Sequence, residues 1–182
     1  MDSGVITGAD ERKENCMRRV ILLLLIFAMT IMACSKKEES ASAKALKALK
    51  KLETNVQVGI SYNDYGPALR DAQLGLNMFL ENPEAKTRPE LTKSLQKVMN
   101  HYNVAGTLFK ELVERSNCLE PKEAKLILDA YPEASTAIAT GDGVLGCKSG
   151  WMNVKTVMII IWQKASHELE KATGMLPQTS KR

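Results

Sequence analysis

The chain has 182 residues, 45% of them apolar and 25% charged, a composition that fits an ordinary folded protein and excludes a disordered or collagen-like one. Aromatic residues make up only 5%, which argues against a sandwich or barrel built on large core aromatics, and the length allows one domain. The net charge of +4 arises from Lys and Arg spread along the chain, so composition gives no case for nucleic acid as a partner.

The first apolar run, Val20 to Met32, is thirteen residues long, preceded by Met17-Arg18-Arg19 and followed by Ala33-Cys34-Ser35. A bilayer span needs roughly 20 residues, so this run is too short to cross. A basic start, a short apolar stretch and a small residue before the cut describe a secretory signal. Ile31-Met32-Ala33-Cys34 resembles the lipobox of bacterial lipoproteins, with Met32 in place of the small or hydroxyl residue usual there. The resemblance covers residues 17–34 only. It implies cleavage before Cys34, acylation of its thiol and new amine, and anchoring to a membrane. Ser35 resembles the residue that sends such proteins of diderm bacteria to the outer membrane, facing the periplasm. The alternative is a plain signal or uncleaved anchor in which Cys34 is incidental.

Five segments follow: a non-native extension over 1–16 ahead of a natural start at Met17, a signal over 17–33, a polar tether over 34–43, a helical domain over 44–176, and a polar tail over 177–182. Removing residues 1–33 takes away four basic residues (Arg12, Lys13, Arg18, Arg19) and four acidic ones (Asp2, Asp10, Glu11, Glu14), so the mature chain keeps +4. With Cys16 removed and Cys34 lipidated, Cys118 and Cys147 remain in an oxidising compartment and are expected to form a disulfide. Two free thiols are the alternative.

Ala45, Leu46, Leu49, Leu52 and Val56 recur at helical spacing and predict a first helix from Ser42 to Ile60. Asn63-Asp64-Tyr65-Gly66-Pro67 reads as a turn, after which Ala68, Ala72, Leu76, Phe79 and Leu80 predict a second helix ended by Asn82-Pro83. Thr87-Arg88-Pro89-Glu90 reads as a capping box opening a third helix, to Arg115, whose stripe runs from Leu91 through Val98 and Tyr102 to Leu112. A broken stretch from Cys118 to Gly150 contains a short helix opened at Glu120-Pro121 and a glycine loop. Trp151 to Ala172 predicts the last helix, with Val157 to Trp162 apolar on every side and expected to be the most buried part. Fold class follows: all-α, an antiparallel bundle of about four long helices with a short-helix and glycine-loop insertion before the last.

Candidate chemistry is sparse. Gly141-Asp142-Gly143-Val144-Leu145-Gly146 matches a dinucleotide-binding pattern in letters, but no β-strand precedes it, so it reads as a loop that lets Cys147 reach Cys118. His101 and His167 have no metal-ligand spacing and read as partly exposed helix residues. A haem between His167 and Met78 or Met99, or another apolar ligand in the interior, gives the alternative of a small-molecule carrier. No nucleophile motif is present, and Asp64, Asp71 and Asp129 read as solvated charges, so no catalytic residue, metal or cofactor is assigned. Gly59, Tyr62, Tyr65, Ala68, Gly75, Leu76 and Pro83 faintly resemble a tetratricopeptide unit, but no second copy follows, and they read as a closely packed helical hairpin. Lys36, Lys37, Lys44, Lys47, Lys50 and Lys51 read as a solvated helix face beside the anchor rather than a lipid-headgroup site. Tyr62-Asn63-Asp64-Tyr65 places two aromatic and two polar residues at one corner, the first candidate for binding an envelope protein. The expected function is that of a lipid-anchored, non-enzymatic binding or accessory protein of the cell envelope.

Overall fold

The computed structural model describes residues 39–176. The extension over 1–16, the signal over 17–33, Cys34, most of the tether and the tail over 177–182 lie outside the described residues. The described chain is mostly helical, with two strands of two residues each.

Helix α1, Ala41–Val58, starts three residues before the expected domain boundary at 44. Ser40 caps it by accepting the Ala43 N–H at 3.2 Å, and Ser42 is fully buried because its hydroxyl and backbone N–H both donate to the Glu84 carboxylate, at 2.6 and 3.2 Å. The end of the expected tether is therefore helix, fixed by a contact 42 residues away that no local pattern signals. The helix ends at Gly59, whose φ of 93° suits the left-handed conformation that glycine adopts without steric cost.

Helix α2 runs Tyr62–Glu81, so the expected turn at residues 63–67 is in fact its first two turns. Ser61 caps it by accepting the Asp64 N–H at 3.2 Å. Pro67 leaves the Asn63 carbonyl without its helical donor, a loss tolerated where Asn63 is exposed. The hairpin of α1 and α2 closes tightly, because a Cβ placed on Gly75 would lie 2.7 Å from the Ala48 Cβ.

Asn82 and Pro83 end α2 as expected but also open helix α3, Pro83–Thr87. The expected capping box at Thr87 does not form: Thr87 closes α3 by donating to the Glu84 carbonyl at 2.8 Å, and helix α4, Pro89–Glu114, starts after Arg88 without a side-chain cap. Further on, Glu120 N–H donates to the Glu123 carboxylate at 3.3 Å at the start of helix α5, Pro121–Ala130. A 3₁₀ segment over Pro132–Ala137 follows.

Strand β1, Cys118–Leu119, pairs antiparallel with strand β2, Met152–Asn153, in the register Cys118 to Asn153 and Leu119 to Met152. This ladder takes Met152 and Asn153 out of the last helix, so α6 runs Val154–Gly174 instead of starting at Trp151. Asn153 caps it, accepting the Thr156 N–H at 2.8 Å. A disulfide joins Cys118 to Cys147, with Cα atoms 5.8 Å apart.

Two apolar clusters result. One joins Leu49, Leu52, Leu76, Phe79, Leu95 and Leu169 from α1, α2, α4 and α6. The other joins the second half of α4 to the first half of α6 and the Leu119–Ala137 stretch. Phe109 and Trp162 pack against both. Val157 and Ile161 are fully buried, but Ile159 is 42% exposed and Ile160 half-buried, so the apolar stretch of α6 is shielded on one side only.

Candidate functional site

The four corner residues divide between interior and surface. Tyr65, 2% exposed, donates its hydroxyl to the Tyr102 carbonyl at 2.8 Å and accepts the Trp162 Nε1–H at 3.3 Å. Burial pushes its phenol up to about 12, so it stays protonated, and its work is to seat α2 on α4 and α6. Tyr62 is half-buried, set edge-on against Phe109 with ring centroids 5.5 Å apart, and donates to Glu114 Oε1 at 3.0 Å. That hydrogen bond is the main reason its pKa rises, with smaller contributions from burial and the Glu114 charge. Asn63 and Asp64 are exposed, Asp64 accepting the Ser61 hydroxyl at 2.6 Å.

Tyr62, Asn63 and Tyr65 lie along an open groove of about 610 Å³ between α2 and α4. Its other wall carries Asn103, Thr107 and Lys110 of α4, and Arg70 of α2 completes the lining. At Gly106 a Cβ would come within 3.0 Å of Tyr65 Cε1, so a side chain there would press on the inward tyrosine. Sequence reading found the Tyr62 corner but not the facing wall. The usable signal was the spacing of Asn103, Thr107 and Lys110 at four and three, a polar stripe one residue from the buried Tyr102 and half-buried Phe109 positions.

The other candidates resolve into structure. The glycine loop turns with φ of 79° at Gly143 and 73° at Gly146 and is held by Ser149 N–H donating to Asp142 Oδ1 at 2.9 Å and Asn153 Nδ2 donating to the Leu145 carbonyl at 2.7 Å. It delivers Cys147 to Cys118, with a two-residue strand beyond it rather than the strand before it that a dinucleotide site needs. His167 is exposed and Met78 is 61% exposed, while Met99 is 2% exposed, so neither haem pair faces a common interior. Among the described residues no group of three or more His, Cys, Asp or Glu gathers as a metal site, and no helix is long and apolar enough to cross a membrane. Asp71 pairs with Lys51 at 3.4 Å and Asp129 with Lys125 at 2.9 Å, both on the surface.

His101 is a partly exposed helix residue, as expected, and it also has a partner. It is half-buried, its Nδ1 lies 2.9 Å from the Tyr131 hydroxyl, and its ring meets that of Tyr131 edge-on. Burial, then the nearby Lys164, hold its pKa below the ordinary value, against the opposing pull of Glu168 and Glu133. Lys164 sits 5.2 Å over the Tyr131 ring and pairs with Glu133. This cluster, from α4, the 3₁₀ segment and α6, fastens the disulfide-bearing segment to the two longest helices.

No family model, curated protein or solved structure matches this chain. The groove between α2 and α4 gathers two cations, Arg70 and Lys110, two side-chain amides, Asn63 and Asn103, and the hydroxyls of Tyr62 and Thr107, groups that can hold a polar chain by hydrogen bonds and charge.

Proposed function

We propose that the protein is a lipid-anchored component of the cell envelope that binds a partner protein through the groove between α2 and α4, and that it is not an enzyme. The groove carries the binding half of this reading, since it joins the Tyr62 corner to a second polar wall and leaves Asn63 and Arg70 exposed. Two observations support the envelope half: the run Ile31-Met32-Ala33-Cys34, and the Cys118–Cys147 disulfide, a bond that persists in oxidising compartments. In a diderm host, Ser35 favours the outer membrane, with the domain facing the periplasm.

We also read α1, α2, α4 and α6 as an antiparallel bundle of four long helices. The tight α1–α2 hairpin and the burial of Leu49, Leu76, Leu95 and Leu169 in one cluster support this. The segment between α4 and α6 is then an insertion, stapled back by the disulfide and by the His101–Tyr131 contact.

The test has two arms. Intact mass of membrane-extracted protein should show a chain beginning at Cys34 and carrying acyl groups, and Cys34→Ala should release the protein from membranes. A photo-crosslinker replacing Asn63 should capture one envelope protein, and the same probe at exposed Leu126, on α5, should not. Equal capture at both positions, or unchanged membrane retention of Cys34→Ala, contradicts the corresponding half.

A further inference from the structure

Charge around the groove is asymmetric in a way that its shape does not require. Arg70 and Lys110 stand among its lining residues, and no carboxylate does. The neighbouring acids Asp64, Asp71 and Glu111 are held outside the groove, and Glu114 meets its Tyr62 and Lys110. Asp64 faces Ser61 at 2.6 Å, Asp71 faces Lys51 at 3.4 Å, Glu111 faces Arg115 at 3.5 Å, and Glu114 takes the Tyr62 hydroxyl at 3.0 Å with only a long 3.8 Å contact to Lys110. Arg70 has no ion pair among the described residues, and its guanidinium lies 3.8 Å from where a Cβ on Gly66 would sit. Arg70 therefore presents to the groove a positive charge that no acid among the described residues pairs, and Lys110 adds a second, shared with Glu114 at 3.8 Å.

The remaining lining specifies the kind of anion. Asn63 and Asn103, on opposite walls, each offer a side-chain amide that donates and accepts, the pairing that a peptide main chain also offers. Tyr62, fixed edge-on to Phe109, limits one end.

Resting on the assignment of this groove as the partner site, we propose that it takes a short acidic peptide segment of the partner, whose carboxylates meet Arg70 and Lys110 while its main chain lies between Asn63 and Asn103. Guanidinium and ammonium groups at a rim act mainly on encounter and specificity, so binding should weaken as salt rises.

The probe is fluorescein-labelled hexaglutamate, titrated by anisotropy into the full chain in detergent, with hexaglutamine as the neutral control. Hexaglutamate should bind and hexaglutamine should not, and Arg70→Gln and Lys110→Gln should each weaken binding by about threefold to fivefold, the range of an exposed charge pair. Because both side chains lie in an open groove, the variants should keep the wild-type circular dichroism spectrum. As a control for bulk attraction, Lys122→Gln with Lys125→Gln, on α5, should leave binding unchanged. Equal binding of the two peptides, an equal loss in the α5 control, or tighter Arg70-dependent binding of an anionic oligosaccharide such as a heparin tetrasaccharide overturns the proposal. If hexaglutamate fails while the Asn63 crosslinker still captures its envelope protein, the acidic-segment inference falls alone. If both fail, the groove is not the partner site.

Discussion

Replacing Gly75 with alanine sets helix propensity against packing at one atom. Alanine favours a helix interior over glycine by about 1 kcal/mol, so on an isolated α2 the change would stabilise. In the hairpin the new methyl carbon would fall 2.7 Å from the Ala48 Cβ and 3.8 Å from the Ala45 Cα. Ordinary carbon contacts are about 3.5 to 4.0 Å, so α1 and α2 must part by roughly 1 Å. A Cβ has no rotamer through which to yield, and the movement loosens Leu49, Leu52 and Leu76, all of them buried. Overpacking of this kind costs about 1 to 3 kcal/mol, which exceeds the propensity gain. Gly75→Ala should therefore lower unfolding free energy by about 1 kcal/mol, within a range of about 0 to 2. Urea melts followed by circular dichroism at 222 nm read the value. Ala48→Gly alone should cost about 1 kcal/mol, but in the Gly75→Ala background it removes the collision, and the pair should show a favourable coupling of about 1 to 2 kcal/mol. A Gly75→Ala protein about 1 kcal/mol more stable than wild type, with no coupling to Ala48, would show that propensity alone governs the site and refute the close crossing.

Ile161→Ala should cost about 2 to 5 kcal/mol because the side chain is fully buried, and Lys155→Ala, on the exposed side of α6, less than about 0.5, both by urea melt. Opening the Cys118–Cys147 disulfide, by reduction or by a double serine variant, should remove about 3 to 4 kcal/mol on the chain-entropy account for a loop of sequence separation 29, and non-reducing peptide mapping should recover the two peptides joined. His101 has a folded pKa below its unfolded value of 6.5, so the unfolded chain takes up the proton first as pH falls. The wild type should then lose stability below about pH 6.5 more steeply than His101→Asn, while above that value the difference between them should not change with pH. Parallel slopes through this range in matched thermal melts would exclude the coupling.

The long helices were legible because each repeats an apolar stripe over several turns, and the stop at Asn82-Pro83 and the start at Glu120-Pro121 rest on proline's fixed φ and missing donor. Residues 63–67 misled because Asn, Asp, Gly and Pro carry strong turn signals, whereas the deciding force is Tyr65, which must reach the Tyr102 carbonyl and Trp162 and so draws its whole segment into α2. The Thr87 box failed for a similar reason, since the Glu84 carbonyl competes for its hydroxyl. Only half of the groove could be read, because a corner is a local pattern and a facing wall is a product of folding. The exposure of Ile159 was equally hidden, since an apolar run does not state how many neighbours will cover it.

The Ser42–Glu84 contact sets how the described unit bears tension from its N-terminal side. Burial alone would raise the pKa of Glu84, but the Ser42 hydroxyl, the backbone N–H groups of Ser42 and Ala41, and Arg88 outweigh it and keep the carboxylate charged. A pull on the chain ahead of Ser40 is passed sideways, through that carboxylate, into α3 before the first hydrogen bonds of α1 carry it alone. Fraying of the first turn of α1 must then break the two hydrogen bonds to Glu84 as well as the helix's own. The start of the described domain is thus held by a second element as well as by its own helix, a side tie that local helix propensity does not supply.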